Sequence, residues 1–376
     1  MARHDYIEIS DPMHLKEVLS LEKEELRRCA FKGVDLRAEE QLAMSHSYRD
    51  CIFLGCILPK GIKRQMSDSL VFPRMGETFD TFPTKLYTAD TLYEGYQLGQ
   101  PSSFARCYDS IVYKHYLKMG KRADNIKETL ARSLHDHSIS NALHQFLQNY
   151  ESRAIIGVMG GHGIKRTEPQ YEQVARLSKS LTEKGFLMIS GGGPGAMEAT
   201  HLGAWMAGRS EEELQEALAL LSAAPCFADE GWLETAMLVR QRWPQSEYQS
   251  LGIPTWLYGH EPSTPLATHI AKYFDNSIRE DGILTIAMGG IVYTPGSAGT
   301  LQEIFQDAVQ NHYLSYGISS PMCFLGEDYW TREVPIWPLI QDLVGKGRYK
   351  NLILSLSDHN EDIIQALMEF RNGKAE

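Results

Sequence analysis

Residues 186–208 read FLMISGGGPGAMEATHLGAWMAG, and this stretch decides the fold. Residues 186–190 form a short apolar run, which is typical of a buried strand in a parallel sheet. A glycine-rich turn at 191–195 then leads directly into an apolar helical pattern. A buried strand that passes through a glycine turn into a helix is the repeating unit of a doubly wound α/β sheet.

The same alternation of strand and helix runs from Arg153 towards the C-terminus. Because the connections are short, the strands are expected to form one open, doubly wound parallel sheet of Rossmann-like α/β type, flanked by helices, over residues 151–376. Strands are predicted at 153–161, 186–190, 252–259, 289–296, 321–326 and 351–357, and helices at 168–185, 211–243 (an inserted pair) and 266–281.

Residues 1–150 lack this alternation and are expected to form a mostly helical N-terminal accessory domain. Apolar residues recur at helical spacing in 103–119 and 123–150, and a charged amphipathic helix is predicted at 11–30. Proline and glycine are frequent in 60–83, which indicates turns rather than regular structure. The role of this segment does not follow from its sequence.

The composition disfavours several classes of function. The chain has 376 residues, 43% of them hydrophobic, and its net charge of -11 disfavours binding to nucleic acid or to anionic membranes. The N-terminus is polar and no apolar run is long enough to span a bilayer, so we expect a soluble, cytoplasmic protein. The six cysteines lack zinc-site spacing, and no metal site is predicted.

Three predicted strands end in glycine-rich loops, at 157–163, 190–198 and 294–300. Glycine lets a ligand approach the backbone closely, and a helix that begins directly afterwards offers unpaired N–H groups and the positive end of its dipole. The loops therefore predict an anion site, and phosphate is the natural ligand. The candidate binding residues are Gly160, Gly161, Gly192, Gly193, Gly195, Ala196, Met197, Gly296, Ser297, Gly299 and Thr300.

Two familiar phosphate-binding patterns do not fit. Gly191, Gly193 and Ala196 match the loose dinucleotide pattern G-x-G-x-x-G/A, but the acidic residue that should follow about 20 residues later falls in a charged helix and not at a strand end. The G-x-x-x-x-G-K-[ST] pattern of phosphate-loop NTPases is absent from the sequence. The pattern that remains is mononucleotide binding without hydride transfer.

The segments SGGGPGAMEA (190–199) and TPGSAGTLQE (294–303) resemble the paired signatures of the LONELY GUY (LOG) family, a GGGxxG-type loop and PGGxGTxxE. The resemblance covers residues 153–345 and is strongest to the larger bacterial nucleotide nucleosidases. It implies hydrolysis of the N-glycosidic bond of a nucleoside 5′-monophosphate, with release of the base and ribose 5-phosphate. It also implies no metal or redox cofactor, and a homodimer or higher even-numbered homo-oligomer.

The resemblance places the catalytic Glu on Glu303 and the catalytic Arg on Arg279, with Ser297 where the family motif has its second glycine. From the residues alone, Glu303 also suits a first-turn helix acid, and Arg279 a surface side chain. His260 and Glu261 follow the predicted third strand and would contact base or ribose, or form a polar turn. The alternative function is a non-catalytic nucleotide-binding or nucleotide-sensing protein of the same fold.

Overall fold

A computed structural model describes residues 6–76, 78–258 and 262–373. The chain forms two compact units. The first contains the chain up to Leu86 together with His115–His144, and the second contains Tyr87–Lys114 together with the chain from Gln145 onwards. Residues 87–114 thus belong with the second unit, which the sequence-based boundary at residue 150 did not anticipate.

The first unit is organised by short parallel strands. They form one sheet in the order β1-β3-β5-β7 and another in the order β2-β4-β6, so that successive strands alternate between two stacked sheets. Phe31 and Phe53 stack at 4.8 Å between ring centroids in the core that the sheets enclose. The strands are β1 Ile7–Ile9, β2 Glu25–Arg27, β3 Cys29–Lys32, β4 Ser47–Arg49, β5 Ile52–Leu54, β6 Met66–Ser67 and β7 Leu70–Phe72.

Helices account for most of the regular structure before residue 150, as expected, but the helix predicted at 11–30 is shorter than its pattern suggested. It ends at Leu19, and the chain then enters β2 and β3. Asp11 caps its start by accepting from the N–H groups of Met13 and His14. The α-helices are α1 Pro12–Leu19, α2 Glu40–Ser45, α3 Ala89–Leu92, α4 Tyr108–Met119 and α5 Ile126–Leu147.

The second unit contains the doubly wound sheet that the sequence predicts. Its seven strands are all parallel, in the order β11-β10-β9-β8-β12-β13-β14. The chain therefore builds outwards from β8 and returns to its other side at β12, which makes β8 and β12 the switch point. The strands are β8 Ile155–Met159, β9 Leu187–Ser190, β10 Ser250–Gly252, β11 His269–Ile270, β12 Gly290–Tyr293, β13 Pro321–Leu325 and β14 Ile353–Ser357.

Helices flank this sheet, and their apolar faces form its core with the fully buried β8, β9 and β12. No helix in the described part of the chain is both long and apolar enough to cross a membrane. The helices are α6 Pro169–Glu183, α7 Ala196–Trp205, α8 Glu211–Leu221, α9 Trp232–Arg242, α10 Asn276–Ile286, α11 Ala298–Tyr313, α12 Ile336–Gly345 and α13 Asn360–Arg371.

Two predicted elements of the second unit were wrong in extent. The third strand, expected at 252–259, ends at Gly252, because Pro254 cannot donate a hydrogen bond to a strand ladder. The helix expected at 266–281 begins only at Asn276, where Asp275 caps it. Ile270 instead lies in β11, where its N–H and C=O pair with Tyr87.

Candidate active site at the switch point

The loops that follow β8 and β12 are joined by backbone hydrogen bonds. The N–H of Gly161 donates to the carbonyl of Pro295 at 2.9 Å, and the carbonyl of Gly161 accepts the N–H of Ala196 at 3.1 Å. Gly161 therefore connects the loop after β12 with the start of α7. The glycine-rich loops predicted from the sequence converge at the carboxyl ends of the strands, where open α/β sheets bind ligands.

Gly195 shows why glycine is required at this junction. Its φ is +70°, and a Cβ there would lie 2.3 Å from the carbonyl oxygen of Gly161. Any side chain would both strain the backbone and push apart the loops that Gly161 joins. Gly195 thus keeps the start of α7 close to the loop after β8.

Ser297 replaces the second motif glycine without strain. It precedes α11 with φ -109° and ψ -154°, an extended backbone that any residue adopts. The backbone therefore enters α11 in a conformation that serine adopts as readily as glycine. Helix geometry leaves the first N–H groups of α11 without intrahelical partners, and Gly299 and Thr300 of this turn line a cavity.

This cavity has a volume of about 210 Å³ and lies at the switch point. Its wall brings both predicted catalytic residues together with six of the predicted binding residues: Arg279, Glu303, Gly160, Gly161, Met197, Ser297, Gly299 and Thr300. Residues that the sequence did not single out complete it: Val158, Met159, His162, Gly191, Tyr258, Glu280 and Gln302.

Other predicted binding residues lie outside this wall. The N–H of Ala196 donates to the carbonyl of Gly161, so this amide is not available to bind a ligand. Gly195 lines a smaller neighbouring cavity, while Gly192, Gly193 and Gly296 are not among the described residues that line either cavity. His260 and Glu261 lie outside the described residues.

Arg279 of α10 and Glu303 of α11 form an ion pair at the cavity, with 3.9 Å between Nη1 and Oε1. Burial raises the pKa of the Glu303 carboxyl to about 7, although Arg279 lowers it; the neighbouring Glu280 raises it further. The Arg279 Nε is buried and has no hydrogen-bond partner among the described residues. A buried donor without a partner suits a ligand that supplies the acceptor.

Glu303 is not a first-turn acid, contrary to the simpler interpretation of its sequence position. Because α11 begins at Ala298, Glu303 falls in the second turn, and the first turn carries no acidic residue. Glu303 is only 8% exposed. Burying a carboxyl costs free energy, and a second-turn position gains little from the helix dipole. Helix stabilisation therefore does not account for it.

A buried histidine supports the loop after β9. His201 Nε2 lies 2.8 Å from Ser190 Oγ, and its Nδ1 lies 2.9 Å from Ser250 Oγ. Ser190 Oγ in turn accepts the N–H of Gly192 at 3.2 Å. Burial lowers the pKa of His201 to about 3, so the ring is neutral near pH 7. This contact leaves no signal in the sequence beyond a histidine in an apolar helix.

A second buried carboxyl lies one helical turn beyond Glu303. Asp307 is 2% exposed, accepts the hydroxyl of Tyr293 at 2.8 Å and accepts from the Asn311 amide at 3.2 Å. Burial raises the pKa of Asp307 to about 7. Glu303 and Asp307 are four residues apart in α11 and so lie on one face of this helix.

Another buried pair secures the start of α7. Arg166 donates from Nε and Nη2 to the two oxygens of Glu198, at 2.7 and 2.6 Å, and Tyr171 donates to the same carboxylate at 2.9 Å. Arg166 also bonds to Thr235 of the inserted helix α9.

Within the described ranges, no group of three or more His, Cys, Asp or Glu side chains is placed to hold a metal ion.

No family model matches the chain, and no curated protein matches it in sequence. Among solved structures, the molybdenum cofactor binding protein from the phototrophic bacterium Rippkaea orientalis aligns with 57% of this chain and 96% of its own, at 17% identity and a TM-score of 0.35. The Moco carrier protein from Chlamydomonas reinhardtii aligns with 59% of this chain and 98% of its own, at 17% identity and a TM-score of 0.35. Similarity at this level carries no argument about ligand or activity.

Proposed function

We propose that this chain hydrolyses the N-glycosidic bond of a nucleoside 5′-monophosphate and releases the free base and ribose 5-phosphate. The proposal includes membership of the LOG family, which its two loop signatures resemble. The observation that carries it is the meeting of Arg279 and Glu303 on the wall of one cavity, beside the open first turn of α11.

The first turn of α11 would hold the 5′-phosphate. Gly299 and Thr300 line the cavity at the positive end of the helix dipole, where backbone N–H groups favour an anion. The net charge of the chain is -11, so a local site of this kind is needed to hold a phosphate. Such a site would place the ribose, which carries the phosphate on its 5′ oxygen, towards Glu303.

Glu303 would act on the anomeric carbon. As the C1′–N bond breaks, positive charge develops on the ribose ring, and an ionised carboxylate beside it lowers the barrier. Glu303 accepts a proton from the attacking water as the water oxygen bonds to C1′, and the bonding pair leaves with the base. The proton then passes to the departing base nitrogen or to solvent, which restores the carboxylate.

Arg279 would serve both the substrate and Glu303. Its charge lowers the pKa of Glu303 and so favours the ionised base, against the effect of burial. Its unpaired Nε and planar fork suit an oxygen acceptor on ribose or phosphate. These two roles do not require a metal or a redox cofactor, and we propose none.

We further propose a cytoplasmic homodimer or higher even-numbered homo-oligomer, as the family resemblance implies. Val309 and Tyr313, four residues apart on α11, are 43% and 72% exposed, and exposed apolar residues on one helix face suit a contact with another subunit. Light scattering across a concentration series tests the oligomeric state. A monomer at all concentrations would contradict this part of the proposal.

The direct test is to incubate the protein with the nucleoside 5′-monophosphates and measure free base. At least one monophosphate should release its base, and the matching nucleoside without phosphate should be a very poor substrate, because the α11 site would have nothing to hold. Binding of monophosphates without base release from any of them would favour the nucleotide-sensing alternative. Equal turnover of nucleoside and monophosphate would remove the argument for a phosphate site.

A further inference from the structure

Side chains from residues 87–114 hold the chain on both sides of Tyr258. Asp109, near the start of α4, accepts the indole N–H of Trp256 at 2.9 Å and pairs with Lys272 Nζ at 2.6 Å. Lys272 Nζ also donates to Ser263 Oγ at 2.9 Å. Tyr93 contributes a further bond, from its hydroxyl to the carbonyl of Ser263.

This network, which we call the Asp109 brace, is almost completely dry. Asp109 is 4%, Lys272 2%, Ser263 1% and Trp256 0% exposed. A buried ion pair contributes little net stability against an apolar replacement, but it tolerates only arrangements in which both charges stay paired. The brace therefore fixes the positions of Trp256 and Ser263 more than it stabilises the fold.

Tyr258 lies two residues after the braced Trp256 and lines the candidate active-site cavity. It is 37% exposed, so a large part of its surface is available to a ligand. Among the described residues that line the cavity, two carry aromatic rings, Tyr258 and His162. Of these, Tyr258 has the larger and more apolar ring. Aromatic rings bind nucleobases by stacking, largely without regard to base identity.

We infer that Tyr258 is the stacking surface for the base of the substrate, and that the Asp109 brace positions it. This inference rests on the proposed function, because it takes the ligand to be a nucleoside monophosphate. Tyr258 touches the base; Asp109, Lys272 and Tyr93 act through it as positioning residues. Residues 87–114 then support the substrate site, and Tyr258 holds the base by its ring surface.

The first arm of the test compares two ligands by titration calorimetry, AMP and ribose 5-phosphate, which lacks the base. Tyr258→Leu should weaken AMP binding by roughly 5- to 150-fold, the range for one base–aromatic stack, and leave ribose 5-phosphate unchanged. Tyr258→Phe keeps the ring and should bind AMP within about twofold of the parent. Equal weakening of both ligands by Tyr258→Leu would overturn the inference.

The second arm tests the brace. Asp109→Asn leaves the ammonium of Lys272 without its carboxylate, so Tyr93→Phe serves as a milder variant that removes only the bond to Ser263. Either should weaken AMP binding by about 2- to 10-fold, the size of a coupling between neighbouring residues, and have no added effect in a Tyr258→Leu background. Glu94→Gln is the matched control, since Glu94 lies in the same segment, is exposed, and its change also removes one negative charge.

Each result decides between the inference and its rejection. A brace effect on AMP that disappears in the Tyr258→Leu background supports it, whether or not the protein releases base. An effect that persists there, or that equally weakens ribose 5-phosphate, overturns it, as does failure of AMP to bind the parent. Retained AMP binding without base release from any monophosphate would contradict the proposed function alone.

Discussion

The guanidinium of Arg279 approaches the carboxylate of Glu303 to 3.9 Å, although the two side chains come from different helices. Both are largely buried, at 15% and 11% side-chain exposure. In this setting the loss of water outweighs the neighbouring positive charge, and the pKa of Glu303 rises to about 7. The Glu303 carboxyl therefore titrates in the physiological range, and a reaction that uses its charge should depend on pH there.

Base release should rise with pH and level off above about pH 7, because Glu303 must be ionised to accept a proton from water. Below this value the rate should fall about tenfold per pH unit, in step with the ionised fraction. The measurement is the rate at saturating nucleotide from pH 5 to 9. A rate that is constant or falls between pH 5 and 7 would exclude Glu303 as a general base.

Arg279→Gln should shift that pH profile to higher pH. Arg279 lowers the pKa of Glu303, so its removal leaves burial unopposed and the carboxyl ionises later. Arg279→Lys keeps a positive charge, so its pH profile should stay close to that of the parent. It loses the planar guanidinium fork, so its KM for the nucleotide should rise. The measurement is the pH dependence of kcat and KM for both variants. An unshifted profile in Arg279→Gln would show that the two side chains are not coupled.

Asp307→Asn should reduce the loss of stability with rising pH. Burial raises the pKa of Asp307 from 3.8 to about 7, so between those values the folded state binds more protons and stability falls as pH rises. Removing the carboxyl removes this contribution, which changes by about 3 kcal/mol between pH 5 and pH 8. Denaturant unfolding at pH 5 and pH 8 measures it.

Asp342→Asn is the control for this experiment, because the Asp342 side chain is 51% exposed and its change removes the same charge. The parent and Asp342→Asn should lose similar stability between pH 5 and pH 8, and Asp307→Asn should lose less. If all three proteins respond equally to pH, Asp307 is not the titrating group.

Two glycines of the predicted loops, Gly195 and Gly299, should respond oppositely to alanine. Gly195→Ala puts a Cβ 2.3 Å from the Gly161 carbonyl at a φ of +70°, and should destabilise the fold by about 1–3 kcal/mol. A Cβ at Gly299 meets nothing within 4 Å, so Gly299→Ala should keep or raise the free energy of unfolding while weakening phosphate binding at the cavity wall. Denaturant unfolding separates the two, and equal destabilisation would contradict this account of the loops.

The sequence predicted the parallel sheet and its glycine loops because local patterns determine them: apolar runs ending in glycine make strand–turn–helix units, and parallel strands present their loops at one edge. Arg279 and Glu303 were chosen from the family resemblance; the fold brings both to one cavity, and their catalytic role stays a prediction. The position of Glu303 in α11 was misjudged by one turn, since Ser297 is extended and the helix starts only at Ala298.

What the sequence could not predict depends on long-range contacts. The seven short strands of the first unit carry two to four residues each, too few for an alternating pattern to stand out. The Asp109 brace joins Asp109 to Lys272, and a buried charge pair leaves no periodic trace in either segment. Asp307 resembles any polar residue on an exposed helical face until Tyr293 is placed against it.

Glu303→Gln gives the most direct test of the central claim, because it keeps the shape and hydrogen-bonding capacity of the side chain while removing its charge. We expect a melting temperature equal to or above that of the parent, since a buried carboxyl with a raised pKa is lost, and unchanged binding of the monophosphate that the parent cleaves. Base release from that nucleotide should fall by roughly 10²- to 10⁴-fold. A folded Glu303→Gln protein that releases base within a few-fold of the parent rate would contradict the assignment of Glu303 as the catalytic carboxylate.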